Sequence, residues 1–268
     1  MTLKLIATDM DGTFLNDQGT YNQPLFQTLL TKMGKRNIHF VVASGNQYPH
    51  LPPYFEGVTG EITYLCEDGA HIVQGNQTIS EDVIPADLLR EFLNWLANQP
   101  LFEHAWILLS GRQAAYTEML PSLKRFKQSS YFYGNLTHVP DLAEVTDAIY
   151  KVDITWPQFD VSEQERLINE AFHGQLRATS SGLGGLDVVL PHVNKAYGLA
   201  KLQTQWQVTP AETMAFGDSG NDLEMLAMAQ QGYVMQNAPE SVRQQVALVT
   251  GLTNNQDGVL KLIEAALK

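Results

Sequence analysis

The chain has 268 residues, 44% of them apolar and 17% charged, and its 17 basic against 29 acidic side chains leave a formal charge of -12. That composition excludes a disordered chain, suits one large domain or two modest ones, and opposes binding to the phosphate backbone of nucleic acid. Cys66 is the single cysteine, so no internal disulfide forms, which fits a reducing compartment; with no apolar run of about 18 residues a membrane span is not expected.

The apolar stretch before Asp9 is too short for a secretory signal, so a cytoplasmic location is expected. The sequons at Asn76 and Asn135 are then read as chance. Leu3 to Thr8 reads as a buried strand stopping at Asp9. Leu25, Phe26, Leu29, Leu30 and Met33 recur at helical spacing, with Asn22 and Pro24 as start signals and Gly34 near the end. His39 to Ala43 and Ile62 to Leu65 are two further apolar strands, and the alternation predicts a parallel sheet covered by helices.

The middle of the chain changes pattern. Leu88, Leu89, Phe92, Leu93 and Leu96 mark a helix, and Trp106 to Leu109 and Ala114 to Thr117 read as short strands. Lys151 to Trp156 is another strand, Leu167, Ile168, Ala171 and Phe172 mark a helix, and Leu176 to Thr179 and Leu186 to Leu190 close the region as a strand pair. Strands adjacent in sequence predict antiparallel pairs in a separate α+β unit. After Pro191 the alternation resumes: a helix over about 195–206, a strand at Thr213 to Phe216, a helix through Leu223, Met225, Leu226 and Ala229, a strand at Tyr233 to Met235, and a last helix holding Val259, Leu260, Leu262 and Ile263. The expected organisation is one α/β core, residues 1–82 and 191–268, with an α+β insert at 83–190.

Asp9-Met10-Asp11-Gly12-Thr13 directly follows a buried strand, where open α/β sheets bind their ligands. One carboxylate can attack phosphorus to form an acyl phosphate, and a second can protonate the leaving oxygen and then deprotonate water. Gly12 permits the sharp turn that brings backbone amides toward a phosphate. A plain polar loop is the competing reading; an EF-hand is excluded because loop positions six and twelve hold Phe14 and Thr20. Gly217-Asp218-Ser219-Gly220-Asn221-Asp222 follows another strand, and its acids with Asp9 suit a magnesium ion, which prefers hard oxygen ligands; helix capping is the alternative for Asp222. Ser44-Gly45 offers a hydroxyl and an amide to phosphate, and Lys195 an ammonium, although a lone lysine is most often a solvated charge. Gly182-Leu183-Gly184-Gly185 matches no phosphate-loop pattern and reads as a turn; the histidines show no zinc-ligand spacing.

In this order the four pieces resemble the haloacid dehalogenase superfamily: Asp9-Met10-Asp11-Gly12-Thr13 its first motif, Val42-Ala43-Ser44-Gly45-Asn46 the second, Lys195 the third, and the run from Gly217 to Asp222 the fourth. The position of the insert and the segment Glu67-Asp68-Gly69-Ala70 are similar to the Cof-type subfamily with a large α/β cap, and the wider sequence resembles its bacterial sugar-phosphatase branch. The resemblance implies a Rossmann-like parallel-sheet core with an inserted α+β cap, and a Mg2+-dependent phosphatase acting on a small phosphorylated metabolite, a sugar phosphate first and flavin mononucleotide second. It implies Asp9 as nucleophile and Asp11 as general acid/base, and Asp9, Asp11 (through its carbonyl) and Asp218 as metal ligands. Ser44, Gly45, Lys195 and Asn221 are then implied to hold phosphate, with Asp222 orienting metal-bound water. Two departures stand out: Asn46 where many relatives carry a cation, and Asp68 where asparagine is more common. A phosphotransferase or phosphomutase sharing the intermediate, and a non-catalytic phospho-ligand binder, remain as alternatives. The insert is expected to read the substrate, with Arg112, Asp187, Gln113, Ser180 and Ser181 as candidates on its loops.

Overall fold

The structure, a computed structural model, describes residues 2–157, 160–182 and 184–268, so Leu183 of the glycine-rich run lies outside the described residues. The chain forms two compact units, one from Met1–Ser80 with Asn194–Lys268, the other from Glu81–Val193. In chain order the first segment carries β1 (Leu5–Thr8), α1 (Gln23–Lys35), β2 (His39–Ala43), β3 (Thr63–Cys66), β4 (His71–Gln74) and β5 (Gln77–Glu81). The insert carries α2 (Ala86–Ala97), β6 (Trp106–Gly111), β7 (Ala115–Thr117), α3 (Lys124–Phe132), β8 (Leu136–His138), β9 (Ile149–Thr155), α4 (Ser162–Ala171), β10 (Arg177–Gly182) and β11 (Gly185–Val189). The returning segment carries α5 (Lys195–Trp206), β12 (Thr213–Gly217), α6 (Leu223–Met228), β13 (Gln231–Val234), α7 (Glu240–Arg243), β14 (Leu248–Val249) and α8 (Gly258–Ala266).

The first unit is built on one eight-stranded sheet in the order β14-β13-β12-β1-β2-β3-β4-β5. From β14 to β3 the strands pair in parallel, and β4 turns back antiparallel to β3. Both faces are covered, which is why β1 and β2 read as unbroken apolar runs rather than as alternations. Ile6, Phe40 and Val42 point into a core with Phe26, Leu29, Met33 and Ile263, while Leu5, Ala7, Val41 and Ala43 point to the opposite core with Leu199, Leu202 and Met225. Helix α1 starts where the Asn22 side chain accepts a hydrogen bond from the Leu25 amide. It buries Phe26, Leu29, Leu30 and Met33 along one stripe, each such side chain contributing about 1.5–3 kcal/mol. Helix α5 starts the same way, Asn194 Oδ1 accepting from the Tyr197 amide at 2.7 Å.

The second unit holds a six-stranded sheet in the order β10-β11-β9-β6-β7-β8. Its pairs are antiparallel except for β7 with β8, which run parallel. Phe92, Leu96, Ile168 and Phe172 of the α2 and α4 regions pack with Val152, Ile154, Leu186 and Val188 into a core of its own.

Several elements lie where the sequence pattern is silent. The β4–β5 hairpin turns at Gly75 and Asn76, with φ of 55° and 64°, the left-handed pair a two-residue hairpin loop requires; its strands carry His71, Gln74, Gln77, Thr78 and Ser80, which breaks the apolar signal. Helix α3 buries only Ser129, so it has no apolar stripe to detect. Among the described residues no helix is long and apolar enough to cross a membrane.

Candidate active site

The order of the first sheet reverses between β1 and β12: from β1 the chain moves out to β2 and β3, and from β12 it moves the other way to β13 and β14. Loops leaving the carboxyl ends of two such strands diverge and leave a crevice between them. Asp9 follows β1 and Asp218 follows β12, and the strands are tied at that end by the Asp9 amide donating to Phe216 O at 3.0 Å.

Lys195, at the first turn of α5, is 1% exposed. Its Nζ lies 2.6 Å from Asp9 Oδ1 and 2.7 Å from Asp222 Oδ1. The solvated-charge reading of this lysine is thereby replaced by a buried ion triad. Asp222 Oδ2 also accepts from the backbone amides of Asp218 and Ser219, each at 3.0 Å, so Asp222 caps its turn and pairs with Lys195 at once. Gly217 makes this possible: a Cβ there would lie 2.4 Å from Asp222 Cβ.

Gly12, at φ +75°, lets the loop after β1 fold against Asp218; a Cβ there would lie 2.6 Å from Asp218 Oδ2. Thr13 Oγ1 donates to Asp218 Oδ1 at 2.9 Å, and Asn237 Nδ2 donates to the Gly12 carbonyl at 2.7 Å. Asp11 is exposed and is held by Asn46, whose Nδ2 donates to Asp11 Oδ2 at 3.1 Å. The position where many relatives carry a cation therefore holds a neutral donor aimed at Asp11. Ser44 is buried at the end of β2, and its carbonyl accepts from the Asp68 amide at 3.2 Å. Asn221 Nδ2 donates to Asp68 Oδ1 at 3.0 Å. Thus Asp9, Asp218, Asp222 and Lys195 come together directly, with Asp11, Ser44, Gly45 and Asn221 on the loops around them. Thr13, Asn46, Asp68 and Asn237 join the site without having been given a role in it; Thr13 carried a signal as the last residue of the first motif, Asn46 and Asp68 as departures from a family pattern, and Asn237 carried none.

Burial pushes the Asp9 carboxyl well above the ordinary carboxylate value; Lys195 opposes this, while Asp222 and Asp218 add to it. Burial alone would lower the Lys195 ammonium, but Asp222, Asp9 and Asp68 together hold it above the usual lysine value. Asp218 is raised to about 6, first by burial and then by the Asp222 carboxylate. Such crowding of carboxylates is what a cation relieves. Asp9, Asp218 and Asp222 each offer an oxygen within 4.8 Å of the others, a hard, all-oxygen donor set of the kind Mg2+ takes. With both Asp222 oxygens already engaged, Asp9 and Asp218 are the better placed of the three to hold it.

The insert's candidates lie in the second unit. Arg112 is paired with Glu81, which also accepts from Tyr150 at 2.8 Å. Asp187 lies 3.3 Å from Lys151 Nζ, and the Gln113 amide donates to Asp147 Oδ2 at 2.8 Å. Ser180 and Ser181 lie on β10.

A family model described as haloacid dehalogenase-like hydrolase matches residues 6–263. The chain is 33% identical over 273 residues to a 5-amino-6-(5-phospho-D-ribitylamino)uracil phosphatase of Escherichia coli (strain K12), covering 100% of this chain and 97% of that one. It is 25% identical over 267 residues to a phosphatase of the same description from Bacillus subtilis (strain 168), covering 97% and 94%. Among solved structures, that of SMU.1108c from Streptococcus mutans UA159 superposes with a TM-score of 0.92 at 32% identity, over 99% of both chains.

Proposed function

Because the chain belongs to the haloacid dehalogenase-like hydrolase family, and is a phosphoric monoester hydrolase of that family acting on small phosphorylated metabolites, we propose that it works through a covalent acyl phosphate on Asp9. The observation that carries this reading is the Asp9–Lys195–Asp222 triad at the sheet's switch point, with Lys195 Nζ 2.6 Å from Asp9 Oδ1. Lys195 pins the Asp9 carboxylate, and Asp222 in turn fixes Lys195, so the nucleophile is oriented before substrate arrives. An Asp9 oxygen attacks phosphorus and the bond to the substrate's alcohol oxygen breaks; Asp11 gives that oxygen its proton. Water then attacks the aspartyl phosphate, loses a proton to Asp11, and releases inorganic phosphate with both carboxyl groups restored. Asn46 holds Asp11 for both proton transfers. Ser44, Gly45, Asn221 and Lys195 donate hydrogen bonds to the phosphate oxygens. Asp9, Asp218 and the Asp11 carbonyl would hold Mg2+, which supplies charge neutralisation to the phosphoryl group when bound, and Asp222 would orient a water on it.

For the alcohol part, two relatives act by name on a phosphorylated ribityl chain attached to an aminouracil. A phosphate on the primary alcohol of a polyhydroxylated chain is common to that compound, to sugar phosphates and to flavin mononucleotide. We assign the substrate to this class, with the ribitylaminouracil phosphate first.

The test is release of inorganic phosphate from a panel of these compounds with and without Mg2+, on wild type, Asp9→Asn and Asp11→Asn. Asp9→Asn should lose turnover by at least about 10⁴-fold, since an amide is a poor nucleophile. Asp11→Asn should slow alkyl phosphates on the order of 10²–10³-fold but an aryl phosphate, whose leaving group needs little protonation, far less. Turnover near wild type in Asp9→Asn would sink the covalent mechanism; equal losses across the leaving groups would remove Asp11 as the acid.

A further inference from the structure

We propose that Asp68 is a positioning residue that aims the Asn221 amide at the substrate's phosphate, an inference that rests on the phosphatase reading above. A side-chain amide has two faces that look alike in shape, and an unguided Asn221 could present either its oxygen or its nitrogen to a phosphate. A carboxylate only accepts hydrogen bonds, so Asp68 Oδ1, 3.0 Å from Asn221 Nδ2, demands the nitrogen. On the other side the Ser219 hydroxyl donates to Asn221 Oδ1, which demands the oxygen there. The amide is fixed from both ends, and its second N–H remains for an anion.

The surroundings of Asp68 support a role at the phosphate rather than in packing. Its amide donates to Ser44 O, and a Cβ added to Gly45 would lie 3.2 Å from Asp68 Oδ1. Its charge is one of the three carboxylates that hold Lys195 above the usual lysine value. Asp68 thus adjoins Ser44, Gly45 and Asn221, three of the four residues assigned to the phosphate, and its charge acts on the fourth, Lys195. The backbone is shaped for this: Glu67 and Asp68 are consecutive left-handed residues at φ 52° and 54°, followed by Gly69 at φ +105°. Non-glycine residues in that region cost free energy and persist where the surroundings enforce them. Gly69 is enforced by α5, since a Cβ there would lie 2.4 Å from the Asn194 carbonyl, one residue before Lys195. The segment therefore links the β3 end to the helix that carries the lysine.

The experiment measures kcat and KM for an aryl phosphate, and the inhibition constant of inorganic phosphate, in Asp68→Ala, Asp68→Asn, Asn221→Ala and the Asp68→Ala/Asn221→Ala double variant, with melting temperatures as a folding check. Asp68→Ala should weaken inorganic phosphate and raise KM about tenfold, the worth of one charge-assisted hydrogen bond, while kcat changes less than about threefold. The double variant should be no worse than Asn221→Ala alone, because Asp68 acts through Asn221. Asp68→Asn keeps an acceptor oxygen and should recover most of the loss. If Asp68→Ala does not fold, Asp68→Gly, suited to the left-handed backbone, takes its place. Additive losses in the double variant, an Asp68→Asn as poor as Asp68→Ala, or unchanged phosphate inhibition would each overturn the inference while wild-type turnover stands. A wild type without turnover would instead remove the phosphatase reading beneath it.

Discussion

Replacing Lys195 by methionine keeps the stem and deletes the charge. The ammonium stands between Asp9 and Asp222 at 2.6 and 2.7 Å, and Asp222 is 0% exposed. Removing one partner of a buried ion pair leaves uncompensated charge and costs about 3–5 kcal/mol. At about 3 °C per kcal/mol, the transition of the unit that carries the site should fall by roughly 10–15 °C in metal-free buffer at neutral pH. The sign with pH follows from Asp9. Burial already holds it above the ordinary carboxylate value, and without Lys195 the opposing influence is gone. A carboxyl raised in the folded state is penalised when ionised, so the deficit should be full at neutral pH and shrink as pH falls toward the unfolded carboxylate value of about 4. Added Mg2+ should restore part of the loss, because it replaces the missing positive charge, while kcat/KM should stay about 10²–10³-fold below wild type. Calorimetry of both proteins with EDTA and with Mg2+ at pH 4.5, 6 and 7.5 reads all of this. A melting temperature within about 2 °C of wild type in EDTA at neutral pH would refute the claim that Lys195 compensates these carboxylates.

Three further outcomes follow from the site. Asp218, raised to about 6 in the metal-free protein, must lose its proton to bind a cation, so the Mg2+ dissociation constant from titration calorimetry should rise steeply as pH falls below about 6; a flat profile from pH 7 to 5 would remove Asp218 as a ligand. Gly12→Ala must escape both a left-handed backbone and a Cβ 2.6 Å from Asp218 Oδ2, so kcat/KM should fall on the order of 10²-fold, and activity within threefold of wild type would show that the loop is not held to this geometry. We assign discrimination among alcohol parts to the inserted unit, so exchanging it for a relative's should reorder kcat/KM across the substrate panel while Mg2+ dependence is kept, and a folded, active chimera with the parent's ranking would contradict that assignment.

Asp9, Asp11, Lys195 and Asp218 could be picked out of the sequence as candidates because the three acids follow apolar strands and Lys195 opens the helix after the insert, in the order that the family resemblance implies. The apolar run of β1 stops at Asp9, and α5 starts at Lys195 behind an Asn cap. What escaped the sequence were partnerships. Asn237 reaches the Gly12 carbonyl across 225 positions, and Asn221 reaches Asp68 across 153; no local pattern encodes either. The contacts of Lys195 were equally hidden, since the same residue at a helix start reads as a surface charge until the sheet brings β1 and β12 together. The β4–β5 hairpin and α3 were missed for a different reason: their polar faces leave no periodicity, and the glycine–asparagine order of the hairpin turn inverts the commoner asparagine–glycine signal.

The pairing of β1 with β12, Leu5 opposite Thr213 through Thr8 opposite Phe216, has a consequence for how the protein is made. A ribosome delivers β1 early and β12 some two hundred residues later. In that interval β1 can pair with β2, but its other edge is an unsatisfied apolar ladder. The insert is complete, with its own core, before β12 exists, and domains that emerge first fold as units. The first unit is thus finished last. Its carboxylates meet only once both halves of the chain are out, so a polypeptide interrupted before β12 would carry a folded insert, an open sheet edge and no catalytic centre.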